Sequence, residues 1–261
     1  FDRLHRELGF PFTRCGIIVA ARSEEEMQSI QALWQRGREN GVIGIEICSQ
    51  ERLKMLEGQL SPDIIGGLYA PGGGIVEPYR FVIALMENAL QNGVRLLHSF
   101  KLIAGERVKG IWTLKGEDGR SIQARWLVNA AGLYADEVSA AVGGEVFTIK
   151  PRKGEYLLLD RLANSKPSKV VFPVPGSISK GMLVIPTVEG TVLVGPTAEE
   201  VDDKEDRATG EEHLSRIMDS GRALIEGLRE RDIIANFAGL RPSLGEDFYI
   251  DVSKKAEGLI Q

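Results

Sequence analysis

The sequence predicts an α+β protein, and three observations predict it. Residues 125 to 144 pass from a short apolar run, through a turn with almost no side-chain bulk, into an amphipathic segment. Period-two segments flank strong turn signals between residues 107 and 128. Several helices with recognisable caps are interspersed among short strand-like runs.

The first of these stretches is the one the chain is organised around. Trp126, Leu127 and Val128 carry no internal turn signal, as expected of a strand buried on both faces. Asn129, Ala130, Ala131 and Gly132 form the turn, and Leu133 to Val142 has helical spacing before Gly143 and Gly144 stop it. A strand, a small turn and a helix let a phosphate or a ring approach backbone amides at a helix N-terminus. The same pattern also fits a tight connection that binds nothing.

The chain has 261 residues, 43% hydrophobic and 26% charged, with a net charge of −5. These values are ordinary for a globular protein. No basic block stands out, so nucleic acid is excluded as an expected partner. No apolar run approaches the ~18 residues of a membrane span, and no secretory signal is present. Cys15 and Cys48 are too few for a disulfide framework or a zinc site and read as free thiols in a reducing cytosol. The expected location is cytoplasmic. The chain opens on Phe1 and closes on Gln261 inside an apolar run, so both ends look like cuts through a longer protein.

In order, residues 1 to 8 read as the end of a helix and 15 to 21 as a strand. Ser23, with Glu26 three residues on, caps a helix that Asn40 and Gly41 end. Residues 45 to 47 alternate as a strand, Ser49 caps a helix over 50 to 56, and 64 to 70 is a further strand. Gly72, Gly73 and Gly74 permit backbone conformations closed to other residues and let a ligand come close; a flexible loop is the bland alternative. Pro78 suits the first turn of a helix over 79 to 92, with Phe81, Leu85, Ala89 and Leu90 as its apolar stripe. Residues 94 to 100, 107 to 113 and 121 to 128 read as strands, the last two around a Gly116–Gly119 turn. Beyond residue 144 strands are expected within 146 to 159, 170 to 174, 181 to 185, 192 to 194 and 233 to 237. Thr209, with Glu212, is expected to cap a helix reaching about residue 228, and residues 248 to 260 to close as a hairpin.

Few residues suggest chemistry on their own. Pro242 pushes Arg241 into an extended backbone, where its planar fork suits a carboxylate or phosphate; a surface salt bridge is the alternative. Arg152, Lys153 and Tyr156 around Gly154 read either as a second anion-binding group or as a solvated edge. His5, His98 and His213 have no metal-ligand spacing, so no metal is expected. The acidic loop 199 to 206 lacks the glycine and spacing of a calcium loop and reads as a solvated surface. No G-x-S-x-G, P-loop or G-x-G-x-x-G occurs.

The stretches GGGIVEPYRFVIALMENALQNGV, WLVNAAGLYADEV, KPRKGEYLLLD, VVFPVP, GMLVIPTVEGTVLVGPTAEEVDDKEDRATG and FAGLRPS occur in one order. Together they resemble the FAD-dependent oxidoreductases of the D-amino-acid-oxidase superfamily. Within it, the nearest look is to anaerobic-type bacterial glycerol-3-phosphate dehydrogenases. L-2-hydroxyglutarate oxidases share the KGEY-like and GP-like motifs.

The resemblance implies a partial FAD-binding part, residues 76–144 and 245–261. It is interleaved with a substrate part, residues 9–75 and 145–244, made of a large mixed sheet with helices on one side. It implies FAD as cofactor, contacted by Gly73, Gly74, Ala130, Ala131 and Gly132. It implies a small anionic substrate, glycerol 3-phosphate first, held by Arg241, Arg152, Lys153 and Tyr156, with Arg241 at the reacting centre. L-2-hydroxyglutarate, an amino acid, or a non-catalytic metabolite- or partner-binding role are the alternatives. An electron-acceptor subunit is an implied partner. Family members begin with a glycine fingerprint for the FAD pyrophosphate that this chain lacks. The chain by itself is therefore expected to be an inactive, flavin-free middle piece of a larger enzyme.

Overall fold

The structure is a computed structural model that describes residues 1–161, 165–176, 181–245 and 248–261. Its first elements are helix α1 (Asp2–Leu8), strands β1 (Phe12–Thr13) and β2 (Ile17–Ala21), helix α2 (Glu24–Glu39), strand β3 (Glu46–Ser49) and helix α3 (Gln50–Leu56). Strands β4 (Gly66–Ala70) and β5 (Ile75–Val76) precede helix α4 (Pro78–Gln91). Strands β6 (Leu102–Val108), β7 (Ile111–Gly116), β8 (Ser121–Ala124) and β9 (Leu127–Val128) lead to a 3₁₀ turn over Gly132–Tyr134 and helix α5 (Ala135–Ala141). Then come β10 (Lys150–Leu159), β11 (Val170–Pro173), β12 (Leu183–Pro186), β13 (Val192–Gly195) and β14 (Glu199–Glu200). Helix α6 (Glu211–Arg222), β15 (Ile233–Ser243) and β16 (Leu259–Ile260) complete the chain.

Two compact units share these elements, each assembled from three stretches. Unit 1 is 1–94, 154–198 and 208–238; unit 2 is 95–153, 199–207 and 239–261. Helix α4, which the resemblance places with the cofactor part, falls in unit 1.

Unit 1 is built on a mixed sheet in the order β10-β13-β12-β11-β2-β4-β3, with β15 pairing β10. The β11–β2 pair is parallel, Val171 opposite Ile18, and the pairs on either side are antiparallel. Alternation along β2 decides how the helices pack. Ile18 and Ala20 face a core with Leu53 of α3 and Ile217 and Met218 of α6. Val19 and Ala21 face the opposite side, where Leu68 and Ile30 of α2 close over them. Helices therefore cover both faces, not the one expected, because β2 is apolar on both sides and needs two layers.

Two helix starts follow their sequence signals. Ser23 accepts from the Glu26 amide at 3.2 Å, and Ser49 from the Arg52 amide at 3.3 Å. The apolar stripe of α4 is a different matter. The helix forms, but none of its residues is buried, and Leu85 and Leu90 are exposed.

Unit 2 holds the antiparallel meander β6-β7-β8 and the parallel pair β9–β16, Leu127 opposite Leu259. Its small core is Trp112, Leu114, Val142, Ala256 and Leu259, and the Trp112 indole N–H donates to the Gly258 carbonyl at 3.3 Å. Four expectations change here. The strand at 126–128 is not buried on both faces: Trp126 is 61% and Val128 63% exposed, since β9 is two residues long in a two-stranded sheet. Residues 94–100 form no strand and have no ladder partner among the described residues. The expected strand 107–113 is broken by a turn at Lys109 and Gly110, both with positive φ, so the meander starts earlier, at Leu102. The closing segment does return on itself, Val252 bridging Ile260, but β16 also makes the unforeseen parallel pair with β9.

Candidate functional site

The turn after β9 is held by Asn129, whose side chain is buried. Its amide nitrogen donates to the Ala135 carbonyl at 2.8 Å, and its side-chain oxygen accepts from the Ala131 amide at 3.3 Å. Gly132 has φ 59°, a left-handed conformation that costs a residue with a Cβ roughly 1–2 kcal/mol. A Cβ on Gly132 would meet nothing within 4 Å. The helix expected from Leu133 begins only at Ala135, because positive φ at Gly132 and the tighter 3₁₀ turn come first. Beside the turn lies a cavity of about 750 Å³ lined by Phe100, Lys101, Asn129, Ala130, Ala131 and Tyr134 among others. Bare backbone next to open volume is a cradle suited to a ring or a phosphate.

The triple glycine is built differently. None of Gly72, Gly73 and Gly74 has φ between +20° and +160°, so conformational freedom is not what the loop requires. A Cβ on Gly73 would overlap the Ile17 side chain, and one on Gly74 would sit 2.8 Å from the Thr13 carbonyl oxygen. The loop is tied to its own unit by Gly16 N–H donating to the Gly73 carbonyl at 2.9 Å and by Arg14 donating to the Gly72 carbonyl at 2.5 Å. The loop is packed against Phe12, Thr13 and Ile17 of its own unit.

Strand β10 alternates: Lys153, Glu155, Leu157 and Leu159 are buried, while Arg152, Gly154, Tyr156 and Leu158 are half-buried. Lys153 points to the buried side, where its ammonium meets Asp206 at 2.9 Å. Tyr156 stacks on Phe237 with ring centroids 5.5 Å apart, and burial pushes its hydroxyl pKa up. Arg241 lies in β15, extended as its proline neighbour requires, and exposed. Its guanidinium makes no hydrogen bond or ion pair among the described residues. Arg152, Lys153, Arg241 and the 130–132 turn belong to unit 2; Gly73, Gly74 and Tyr156 belong to unit 1.

Sequence reasoning missed Glu155. It is 3% exposed, and its carboxylate accepts from the Gly210 amide at 3.0 Å and meets His213 Nδ1 at 2.6 Å. Its backbone amide donates to Thr197 Oγ1 at 3.0 Å. Glu155 thereby joins the KGEY strand, the GPTA turn and the N-terminus of α6. This displaces Thr209 as cap: α6 starts after Gly210 and takes its anion from a strand far away in sequence. The spacing of buried positions in KGEY was the available signal, an acid where an apolar residue belongs.

The acidic loop is not simply solvated. Lys204 Nζ reaches Asp136 Oδ1 at 2.7 Å and Glu137 Oε1 at 3.1 Å, and the Tyr134 hydroxyl donates to Glu205. Burial pushes the Asp136 carboxyl upward, but Lys204 and the amides of Ile149 and Glu137 outweigh it and hold it below the usual range. The same two carboxylates raise Lys204 above its ordinary value against the pull of burial. Among the described residues no group of His, Cys, Asp or Glu is arranged to hold a metal ion, and no helix is long and apolar enough to cross a membrane.

A family model described as FAD dependent oxidoreductase (DAO) matches residues 1–260. A glycerol 3-phosphate dehydrogenase of Caloramator mitchellensis is 38% identical over 262 residues, covering 100% of this chain and 54% of its own length. A mitochondrial L-2-hydroxyglutarate dehydrogenase of Mus musculus is 30% identical over 73% of this chain and 44% of its own length. Among solved structures, the dithionite-reduced, FAD-bound L-alpha-glycerophosphate oxidase of Mycoplasma pneumoniae superposes with a TM-score of 0.90 at 27% identity, over 96% of this chain and 67% of that one. The chain spans about half the length of these curated relatives. With a family model matched along nearly its entire length, the chain belongs to the DAO family of FAD-dependent oxidoreductases.

Proposed function

We propose that the protein carrying this chain is an FAD-dependent dehydrogenase that oxidises a small anionic 2-hydroxy compound, with glycerol 3-phosphate as the first candidate. The substrate class is supported by the relatives, since the glycerol 3-phosphate dehydrogenase matches across the full chain and the L-2-hydroxyglutarate dehydrogenase over 73% of it. A bound flavin supplies a hydride acceptor. The residues that would hold it here are Ala130, Ala131 and Gly132, whose uncovered backbone borders open volume.

The observation that carries the substrate reading is Arg241. Its guanidinium is exposed and, among the described residues, uncommitted on an extended backbone, whereas Lys153 of the same unit is already answered by Asp206. A free fork can take a phosphate or carboxylate with two parallel hydrogen bonds. Arg152, in the same unit as Arg241, remains a secondary candidate. Lys153 would act only through Asp206.

Steady-state kinetics of the intact protein test the reading. Each charge-assisted bond is worth about 1.5–3 kcal/mol, so Arg241→Ala should raise the Michaelis constant at least about tenfold, with flavin content unchanged. Arg241→Lys keeps the charge, loses the fork and should fall between. Wild-type Michaelis constant and turnover in Arg241→Ala would remove the assignment.

A further inference from the structure

We infer that the acidic loop 199–207 is a strap on the first turn of α5, and that Lys204 is a positioning residue for the Ala130–Gly132 turn. The inference rests on the reading of that turn as cofactor-holding backbone. Its own support is the set of attachments the loop makes. At its start, Glu200 lies opposite Arg152 in the ladder, and the Val201 amide donates to the Pro151 carbonyl at 3.1 Å. Beyond that, three successive side chains reach three separate anchors: Lys204 to Asp136 and Glu137, Glu205 to Tyr134, Asp206 to Lys153.

These anchors are joined to the turn. The Tyr134 amide donates to the Ala131 carbonyl at 3.1 Å, and the Lys204 ammonium lies 5.3 Å from the centre of the Tyr134 ring. Tyr134 and Glu137 line the same cavity as Ala130 and Ala131. The second oxygen of Asp136 accepts from the Ile149 amide at 2.9 Å, so one carboxylate links α5, the strap and the approach to β10.

Charge decides which residue matters. Asp136 and Glu137 are acidic, and so are Asp202, Asp203, Glu205 and Asp206 in the strap. Bringing these together is repulsive unless a cation lies between them. Arg207 answers Glu205 and Lys153 answers Asp206, while Lys204, half-buried, answers both carboxylates of α5 at once. Removing its charge turns an attraction into a repulsion at the base of the turn.

The test compares Lys204→Met, Lys204→Arg and Tyr134→Phe in the intact protein. Hydrogen exchange on the flavin-stripped form reads the strap alone. Amides of residues 133–141 and of Ile149 should exchange at least about tenfold faster in Lys204→Met, with the β2 and β11 amides unchanged. FAD titration of the same protein reads positioning, with a dissociation constant about tenfold higher. Lys204→Arg should restore both, and Tyr134→Phe, which removes one hydroxyl, should shift both the same way by less. Unchanged exchange overturns the strap. Faster exchange with unchanged FAD affinity overturns the positioning role, and Gly132→Val separates the two causes. If Gly132→Val loses flavin, only the role of Lys204 fails; if it keeps flavin, the reading of the turn fails with it.

Discussion

At Gly73 a side chain would be driven into Ile17; at Gly132 it would meet nothing at all. Both belong to stretches almost without side-chain bulk, and in the sequence they invite one explanation, close approach of a ligand. The structure separates them. The triple glycine is small because its own unit fills the space around it, with Ile17, Phe12 and the Thr13 carbonyl as neighbours. The 130–132 turn is small beside a cavity, and its glycine is required by a left-handed backbone. Smallness alone therefore has two physical causes here, close packing at Gly73 and a left-handed backbone at Gly132.

The largest expected effect breaks the comparison at its packed end. Gly73→Val should destabilise unit 1 by about 3 kcal/mol, the upper range for overpacking, read from urea unfolding. A loss under about 0.5 kcal/mol would mean that Ile17 yields easily and that the glycine is there for something else. Next comes Gly132→Val, for which only backbone strain is expected, about 1–2 kcal/mol, together with a marked fall in flavin content of the intact protein. Flavin loss without a larger stability loss would separate ligand contact from folding at that position.

The smallest effect is a pH response confined to one of the two turns. The folded carboxyl of Asp136 lies below its ordinary value, so its contribution is present above that ordinary value and fades as pH falls through the depressed one. Lys204 is raised, so its contribution is lost only as pH rises through its elevated value. Exchange of residues 133–141, corrected for intrinsic rate, should accelerate toward acid before anything happens on the alkaline side. The Gly73 amide should not follow, because it donates to the Ala70 carbonyl at 3.3 Å, a bond between two uncharged backbone groups.

Much of the fold was legible where the signal is local. Ser23 and Ser49 cap the helices their spacing announced, and Pro78 opens α4. The mixed sheet was legible only through resemblance, since strand order is a matter of long-range pairing. What failed depended on neighbours that no window contains. Residues 94–100 have strand-like content and no partner strand, and Trp126 and Val128 look like interior residues yet lie exposed. The candidate site divides the same way. Arg241 could be singled out because Pro242 dictates its backbone, and Gly132 because a strand and a helix flank it. Lys204 could not, because its partners lie more than sixty positions away, and Glu155 showed only as an acid at a buried strand position, with its partners more than fifty positions on.

Glu155 has a consequence for the order in which the chain acquires structure. Helix α6 is twelve residues long and has no side-chain cap of its own. A helix of that length is marginal in water on propensity alone. The carboxylate at its N-terminus arrives from β10, and the apolar face of α6 is covered by the same sheet. Helix α6 is thus a local element only in its hydrogen bonds. In its stability it is a long-range one, so α6 is expected to become persistent only after β10 and β13 have paired, an order that pulse-labelled hydrogen exchange of the α6 and β13 amides would read.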